Sequence, residues 1–229
     1  MMNVLVVAAH PDDEVLGCGG TIARHASIGD DVFVMILAEG MMARADGENE
    51  EILREEQKKL RERSRTVASI LAAKEVLHFD FPDNRLDQIA LLDVVKTVEG
   101  CLERYQPRIV YTHHPGDLNV DHSVTAQAVI TAARPLPLSP VQEIYSFEVL
   151  SSTEWHFGPG AKAFRPNCFI DIDRFLNRKI EAMSVYNTET SPFPHPRSPE
   201  AIEALARRRG SQSGLGAAEA FMLIRKTVS

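Results

Sequence analysis

The chain has 229 residues, which suits one domain, and 44% of them are hydrophobic, so a sizeable core can form. Its net charge of −7 argues against a large nucleic-acid-binding surface, which would need a basic excess. No stretch approaches the ~20 apolar residues of a membrane-spanning helix, and the start lacks the features of a secretion signal. We therefore expect a single domain over residues 1–229, cytoplasmic, with no nucleic-acid partner and no membrane span.

The chain has three widely spaced cysteines, Cys18, Cys101 and Cys168, with no CxxC pair. This spacing argues against a disulfide framework and against a cysteine-rich zinc site. Buried cysteines behave as small apolar side chains, so we expect all three to be buried in the core.

Strand-like and helix-like segments alternate along the chain. Asn3–Ala9 is a short apolar run rich in valine, typical of a strand buried on both faces. Gly29 suits the position just after the end of a helix over Glu14–Ile28. The other predicted strands are Asp31–Ala38, Val76–Phe81, Arg108–His113, Gln142–Val149, Cys168–Ile172 and Phe221–Lys226. The other predicted helices are Glu50–Ala72, Ile89–Tyr105, His122–Arg134, Arg174–Tyr186 and Glu200–Arg209.

Strands separated by helices of this length indicate right-handed βαβ crossovers and a parallel sheet. We therefore predict an α/β fold, a Rossmann-like three-layer α/β/α sandwich with a mostly parallel sheet. In such folds ligands bind beyond the carboxyl ends of the strands, near the point where the strand order reverses. Polar residues that directly follow a strand are therefore the first candidates for function.

Four ionisable residues follow the first strand, His10, Asp12, Asp13 and Glu14. One or two of these acids could cap the next helix and interact favourably with its dipole. Capping does not account for His10, nor for three carboxylates placed so close together. A bound cation would relieve their mutual repulsion.

The helix after this cluster contains Gly17, Gly19 and Gly20. These glycines lie inside the helix, not in the strand-to-helix turn that binds a pyrophosphate in dinucleotide-binding proteins. Carboxylates in that turn would also repel a pyrophosphate. The glycines therefore indicate close packing of the helix on the sheet, not a nucleotide site.

A second polar cluster follows the fourth strand and contains His113, His114, Asp117, Asp121 and His122. It lies at the same rim of the predicted sheet as the first cluster. His113 and His114 could serve only to shape the loop. Asp121 could cap the next helix, or it could orient a neighbouring histidine that binds a metal. Two clusters at one rim favour a metal site over separate structural roles.

Imidazole and carboxylate ligands without a thiolate suit zinc. A catalytic zinc usually has three protein ligands and an open position for water. His10 and Asp13 can supply two ligands and His122 the third. Asp12 is then left to face the zinc-bound water as a general base.

The segment AHPDDE at 9–14, with GCGGTIA at 17–23, resembles the LmbE-like, PIG-L family of zinc-dependent N-acetyl hydrolases. The family includes enzymes that deacetylate N-acetylglucosaminyl lipids, mycothiol and bacillithiol precursors, and some antibiotics. Other similar segments are spread over most of the chain: FPD at 81–83, NCFIDI at 167–172, Tyr186 and AEAF at 218–221. The resemblance implies a homo-oligomeric hydrolase that removes an N-acetyl group from a small N-acetylated sugar or sugar conjugate.

The resemblance implies the same roles for the residues of the two clusters. His10, Asp13 and His122 would hold Zn²⁺, which is preferred to Fe²⁺ by ligand type and by the resemblance. The zinc-bound water would attack the amide carbonyl, with Asp12 as general base. Glu14 closes the motif and would support the ligands.

The chain also departs from the family pattern. Many members carry HPDH where this chain has NVDH at 119–122, so the histidine that helps to stabilise the oxyanion is Asn119 here. We take Asn119 as a candidate substrate contact and His195, in SPFPHPRSP, as a candidate catalytic donor, with an exposed loop histidine as the alternative. An arginine of the long second helix often contacts substrate in the family. Arg61 is the candidate, and Arg63 lies within alignment error.

Three other interpretations are open. The chain could hydrolyse another small amide, such as an antibiotic or a metabolic intermediate. It could be a homologue that binds metal without turnover, since Asn119 replaces the family histidine. A receiver-like domain with Mg²⁺ beside a phosphoacceptor, Asp80 or Asp83, is disfavoured because the chain is too long and its histidines would have no role.

Overall fold

The computed structural model describes residues 1–38, 50–158 and 162–228, with 50–53 described by their backbone only. Seven strands within these ranges form one sheet, and six α-helices pack on it. The strands are β1 (Asn3–Ala8), β2 (Asp31–Ala38), β3 (Glu75–Phe81), β4 (Ile109–His113), β5 (Glu143–Phe147), β6 (Cys168–Asp171) and β7 (Ala218–Lys226). The helices are α1 (Asp13–Ser27), α2 (Glu50–Leu71), α3 (Leu91–Tyr105), α4 (Val120–Ala132), α5 (Leu176–Val185) and α6 (Pro199–Ser213).

The strand order is β3-β2-β1-β4-β5-β7-β6, and β1 to β5 pair in parallel. Only β7 runs against its neighbours β5 and β6 within the described sheet. The mostly parallel α/β fold is therefore confirmed. The order reverses between β1 and β4, which is where such folds bind ligands.

Each face of the sheet carries its own layer of helices. Along β1, Val4 and Val6 pack in the core shared with α1, α2, α5 and α6, whereas Leu5 and Val7 pack in the core shared with α3 and α4. This alternation follows from the two-residue repeat of a strand, and it explains why β1 is apolar throughout. The three-layer sandwich is thus present as predicted.

The structure changes several details of the sequence-based assignment. Helix α6 continues to Ser213, and β7 begins at Ala218. Cys18 and Cys101 are buried and unpaired as expected, but Cys168 is only half-buried because β6 is an edge strand. No helix in the described part of the chain is long and apolar enough to cross a membrane.

Helix α1, which begins within the first polar cluster, is interrupted at Cys18, whose φ and ψ are not helical. The Glu219 carboxylate on β7 accepts hydrogen bonds from the freed backbone N–H groups of Gly20 and Thr21, at 2.9 and 2.7 Å. Lys179 of α5 donates to the same carboxylate at 2.6 Å, so the buried charge is paired. Glu219 therefore acts as an internal cap that fixes α1 against β7 and α5.

The glycines of α1 allow the close packing that the sequence predicts. A Cβ atom added to Gly17 would lie 2.3 Å from Cδ2 of the fully buried Phe147. We expect Gly17→Ala to lower the free energy of unfolding by about 1–3 kcal/mol, because the packed core cannot accommodate the added methyl group without strain. Denaturant unfolding measures this difference.

Gly100 in α3 provides the matched control. An added Cβ there would meet no atom within 4 Å, so Gly100→Ala should raise the free energy of unfolding by about 0.5–1 kcal/mol. Equal effects of the two substitutions would contradict the packing role of Gly17.

Candidate active site

Two loops at the carboxyl ends of β1 and β4 bring His10, Asp13 and His122 together. Their potential ligand atoms all lie within 4.8 Å of one another. Asp13 Oδ2 is 3.3 Å from His10 Nδ1 and 3.2 Å from His122 Nε2. Asp13 is completely buried, and its Oδ1 has no hydrogen-bond partner among the described residues. An unpaired buried carboxylate oxygen is costly, so this donor set fits a metal cation.

Asp121 supports the far side of the His10 ring. His10 Nε2 lies 2.9 Å from Asp121 Oδ2 and 3.2 Å from Asp83 Oδ1. Asp121 also accepts hydrogen bonds from the backbone N–H groups of Asn84 and Leu86, at 2.7 and 2.9 Å. Its oxygens are thus already used, so Asp121 can orient His10 but is poorly suited to hold a second ion.

Asp117 plays the corresponding part for His122, a contact that the sequence did not reveal. Asp117 Oδ1 lies 3.1 Å from His122 Nδ1, and the hydroxyl groups of Ser152 and Thr153 donate to the same carboxylate. Burial acts to raise the pKa of Asp117, but these contacts outweigh it and lower the pKa to about 2. Asp117 therefore stays ionised and faces His122 as an anion.

Asp12 lies beside the candidate ligands in an unusual backbone conformation. Its φ is 104°, and its N–H donates to Glu14 Oε2 at 2.9 Å. Glu14 in turn accepts a hydrogen bond from the Tyr186 hydroxyl at 2.7 Å. Burial raises the pKa of Asp12 well above the usual range of a carboxyl group, although the Arg197 guanidinium opposes this shift. Asp12 thus contacts the Arg197 guanidinium, whereas Asp13 faces His10 and His122.

A cavity of about 120 Å³ opens next to these residues. Most of its lining side chains are polar: His10, Pro11, Asp12, Leu60, Asp83, Asn84, Asn119, His122, Ser151, Ser152, Glu189 and Arg197. Many hydrogen-bonding groups around a small volume suit a hydroxyl-rich ligand.

The two other histidines of the β4 loop have structural contacts. His113 Nε2 accepts a hydrogen bond from the Ala9 N–H at 2.8 Å, and its ring stacks on that of His122. His114 Nε2 donates to the Lys162 carbonyl at 2.6 Å. These contacts fix both rings within the loop, and His113 Nε2 also lies 3.5 Å from Asp13 Oδ2.

The remaining candidate residues differ in whether they line the cavity. Asn119 lines it and caps α4 by accepting a hydrogen bond from the Asp121 N–H at 2.8 Å. Arg61 instead pairs with Asp80 in a separate surface groove. Arg63 Nη1 donates to Thr188 Oγ1 at 3.1 Å, next to Glu189 in the cavity wall.

His195 does not belong to the residues that line the cavity. Its ring meets Trp155 edge-on, and its Nδ1 accepts a hydrogen bond from the Arg197 N–H at 3.1 Å. Arg197, two residues further on, enters the cavity and contacts Asp12. Sequence reasoning missed Arg197 because nothing in its local pattern distinguishes it from other loop arginines.

The chain was compared with known protein families, curated proteins and solved structures. The family model described as PIG-L, GlcNAc-PI de-N-acetylase, matches residues 5–133. The uncharacterized deacetylase YaiS of Escherichia coli is 31% identical over 81% of this chain and 91% of that protein. The probable N-acetyl-alpha-D-glucosaminyl L-malate deacetylase 2 of Bacillus anthracis is 25% identical over 82% and 81% of the two chains.

Structural comparison shows that the same fold occurs in an enzyme with another reaction. The 4-carboxy-2-hydroxymuconate hydratase GalB of Pseudomonas putida superposes with a TM-score of 0.76 at 24% identity, over 100% of this chain and 98% of that one. At this identity the likeness concerns the fold alone, so the reaction has to be argued from the site. The family match covers more than half of the chain and includes both ligand-bearing loops, and the chain therefore belongs to the PIG-L family.

Proposed function

We propose that this chain is a zinc-dependent N-deacetylase that hydrolyses the acetamido group of a small N-acetylated sugar or sugar conjugate. The observation that carries the proposal is the convergence of His10, Asp13 and His122 beside a buried Asp12 at one polar cavity. The names of the two curated relatives, both deacetylases, support it.

His10, Asp13 and His122 would hold the zinc ion, with Asp121 behind His10 and Asp117 behind His122. When bound, zinc would act as a Lewis acid that polarises the amide carbonyl and makes water a stronger nucleophile at neutral pH. The carboxylates behind the two histidines fix the ring orientations that metal binding needs.

Asp12 is the residue of the protein that accepts and donates the proton in this reaction. Asp12 accepts a proton as water adds to the acetyl carbonyl, and it returns that proton to the departing amine when the carbon–nitrogen bond breaks. The products are acetate and the free amino sugar. Glu14 fixes the loop that carries this carboxylate by accepting a hydrogen bond from the Asp12 N–H. Asn119 lines the cavity and His195 does not, so Asn119 is better placed than His195 to donate to the oxyanion.

For the arginine of α2 that contacts the substrate, we propose Arg63 instead of Arg61. Since Leu60 lines the cavity and Arg61 pairs with Asp80 outside it, we infer that Arg63, through the Thr188–Glu189 wall, is the arginine of α2 nearer to a bound substrate.

We further propose that the enzyme is cytoplasmic and that it forms a homo-oligomer, as the family resemblance implies. Light scattering after size-exclusion chromatography measures the oligomeric state.

The decisive experiment measures the metal content of the purified protein and the release of amine and acetate from N-acetylglucosamine and N-acetylglucosaminyl malate. We expect about one zinc ion per chain and product release that a chelator abolishes and added zinc restores. Bound zinc without release from any acetamido sugar would favour another amide substrate or a homologue without turnover. A protein that binds no zinc would refute the proposal, and a hydratase would release neither amine nor acetate.

A further inference from the structure

Two residues of the cavity wall have a strained backbone conformation, which contacts with neighbouring residues must stabilise. Among the wall residues, Asp12 has a φ of 104° and Ser151 a φ of 69°. Non-glycine residues in such conformations cost about 1–3 kcal/mol and persist only when neighbouring groups constrain them. Asp12 follows β1 and Ser151 follows β5, so the two belong to different loops.

Arg197 connects these two loops. Its Nη1 lies 2.5 Å from Asp12 Oδ2, and its Nε donates to Ser151 Oγ at 2.7 Å. Glu189 Oε2 lies 3.6 Å from the same Nη1. The planar guanidinium offers donors in a fixed fork, so one side chain can reach both walls, which the single ammonium group of a lysine cannot do with the same geometry.

The backbone of Arg197 is itself firmly placed. The next residue, Ser198, is buried and caps α6 by accepting a hydrogen bond from the Ala201 N–H at 3.1 Å. Pro199 then occupies the first turn of the helix, where its fixed φ is favourable. A functional side chain projected from the start of a rigid helix is held more accurately than one on a free loop.

We propose that Arg197 is a positioning residue that holds the Asp12 carboxylate in the orientation needed for proton transfer in the cavity. The inference rests on the proposed function, since there Asp12 is the general base. It assigns a task to a residue outside both polar clusters of the sequence. A displacement of a reacting group by about 1 Å can lower a rate about 10²-fold, so the effect should be large for a residue that does not bind the metal.

The test compares Arg197→Ala and Arg197→Lys with the wild type in amine release, zinc content and thermal stability. We expect kcat to fall about 10²-fold in both variants, with KM and zinc content nearly unchanged. Added guanidinium, well below denaturing concentrations, should raise kcat of Arg197→Ala. Arg209→Ala is the matched control, because Arg209 makes a comparable two-bond pair with Glu148 away from the cavity, at 2.7 and 2.5 Å.

A double-mutant cycle separates positioning from general stabilisation. If Arg197 acts through Asp12, adding Arg197→Ala to Asp12→Asn should cost almost nothing more in kcat. Additive losses, or a variant as active as the wild type, would overturn the inference. If the wild type itself released no amine, the proposed function would fall. A crystal structure of Arg197→Ala would then decide the inference alone, and an Asp12 carboxylate still in its original place would refute it.

Discussion

Asp12→Asn is expected to lower kcat for amine release by about 10²–10⁴-fold while the protein keeps its zinc. Asparagine preserves the shape of the side chain but can no longer accept a proton from water. Asp12 is buried and lies next to the candidate ligands without belonging to the close set of His10, Asp13 and His122. Steady-state kinetics and elemental analysis of the same preparation measure the two effects, and KM should change little.

Asp173→Asn serves as the control for this substitution. Asp173 is an exposed carboxylate that pairs with Arg207 at 2.6 Å, outside the cavity, and its replacement should leave kcat unchanged. An Asp12→Asn variant with near wild-type kcat would show that another group accepts the proton. A variant that lost its zinc would instead move Asp12 into the ligand set.

His122→Gln is expected to abolish both zinc binding and amine release. Replacing a residue that merely supports a metal ligand already weakens binding about 10–100-fold, so the loss of a direct ligand should exceed this range. Glutamine cannot reproduce the aromatic nitrogen that lies 3.2 Å from Asp13 Oδ2. Titration of each variant with zinc against a competing chelator measures the affinity.

His25→Gln serves as the control, because it removes another largely buried histidine that lies away from the candidate ligands. His25 lies 2.9 Å from Asp30 and 3.1 Å from the Tyr111 hydroxyl, at the end of α1 remote from its first turn. This variant should retain zinc and activity even if its stability falls. Full zinc affinity in His122→Gln would mean that the ion is held by other residues.

Local patterns predicted the order of the strands and α-helices in the described part of the chain, although not all of their ends. The valine-rich run of β1 and the regular alternation of strands and helices predicted a parallel sheet, because a strand covered on both faces must be apolar throughout. The carboxyl ends of parallel strands all lie at one rim of the sheet, so the sequence alone places the residues after β1 and β4 close together. The glycines of α1 were likewise interpretable, because a Cβ atom added to Gly17 or Gly20 would collide with a buried side chain.

The sequence was less informative about which side of a helix a given residue faces. Consecutive residues of an α-helix point about 100° apart, so an uncertainty of one position changes the face. Leu60 lines the cavity, whereas Arg61 turns away to Asp80. The family resemblance alone could not resolve that difference.

The sequence by itself determined the sheet, the rim and the candidate ligands, since each depends on residues that are neighbours in the chain or on a rule common to all parallel sheets. The tertiary structure alone decided which distant groups surround them. Asp117 meets His122 through the bend of one loop, and Arg197 reaches Asp12 across 185 positions of sequence separation. The first contact arises from the folding of the loop between β4 and α4, and the second from the packing of α6 against β7 and β6. Neither contact leaves a periodic signal in the chain.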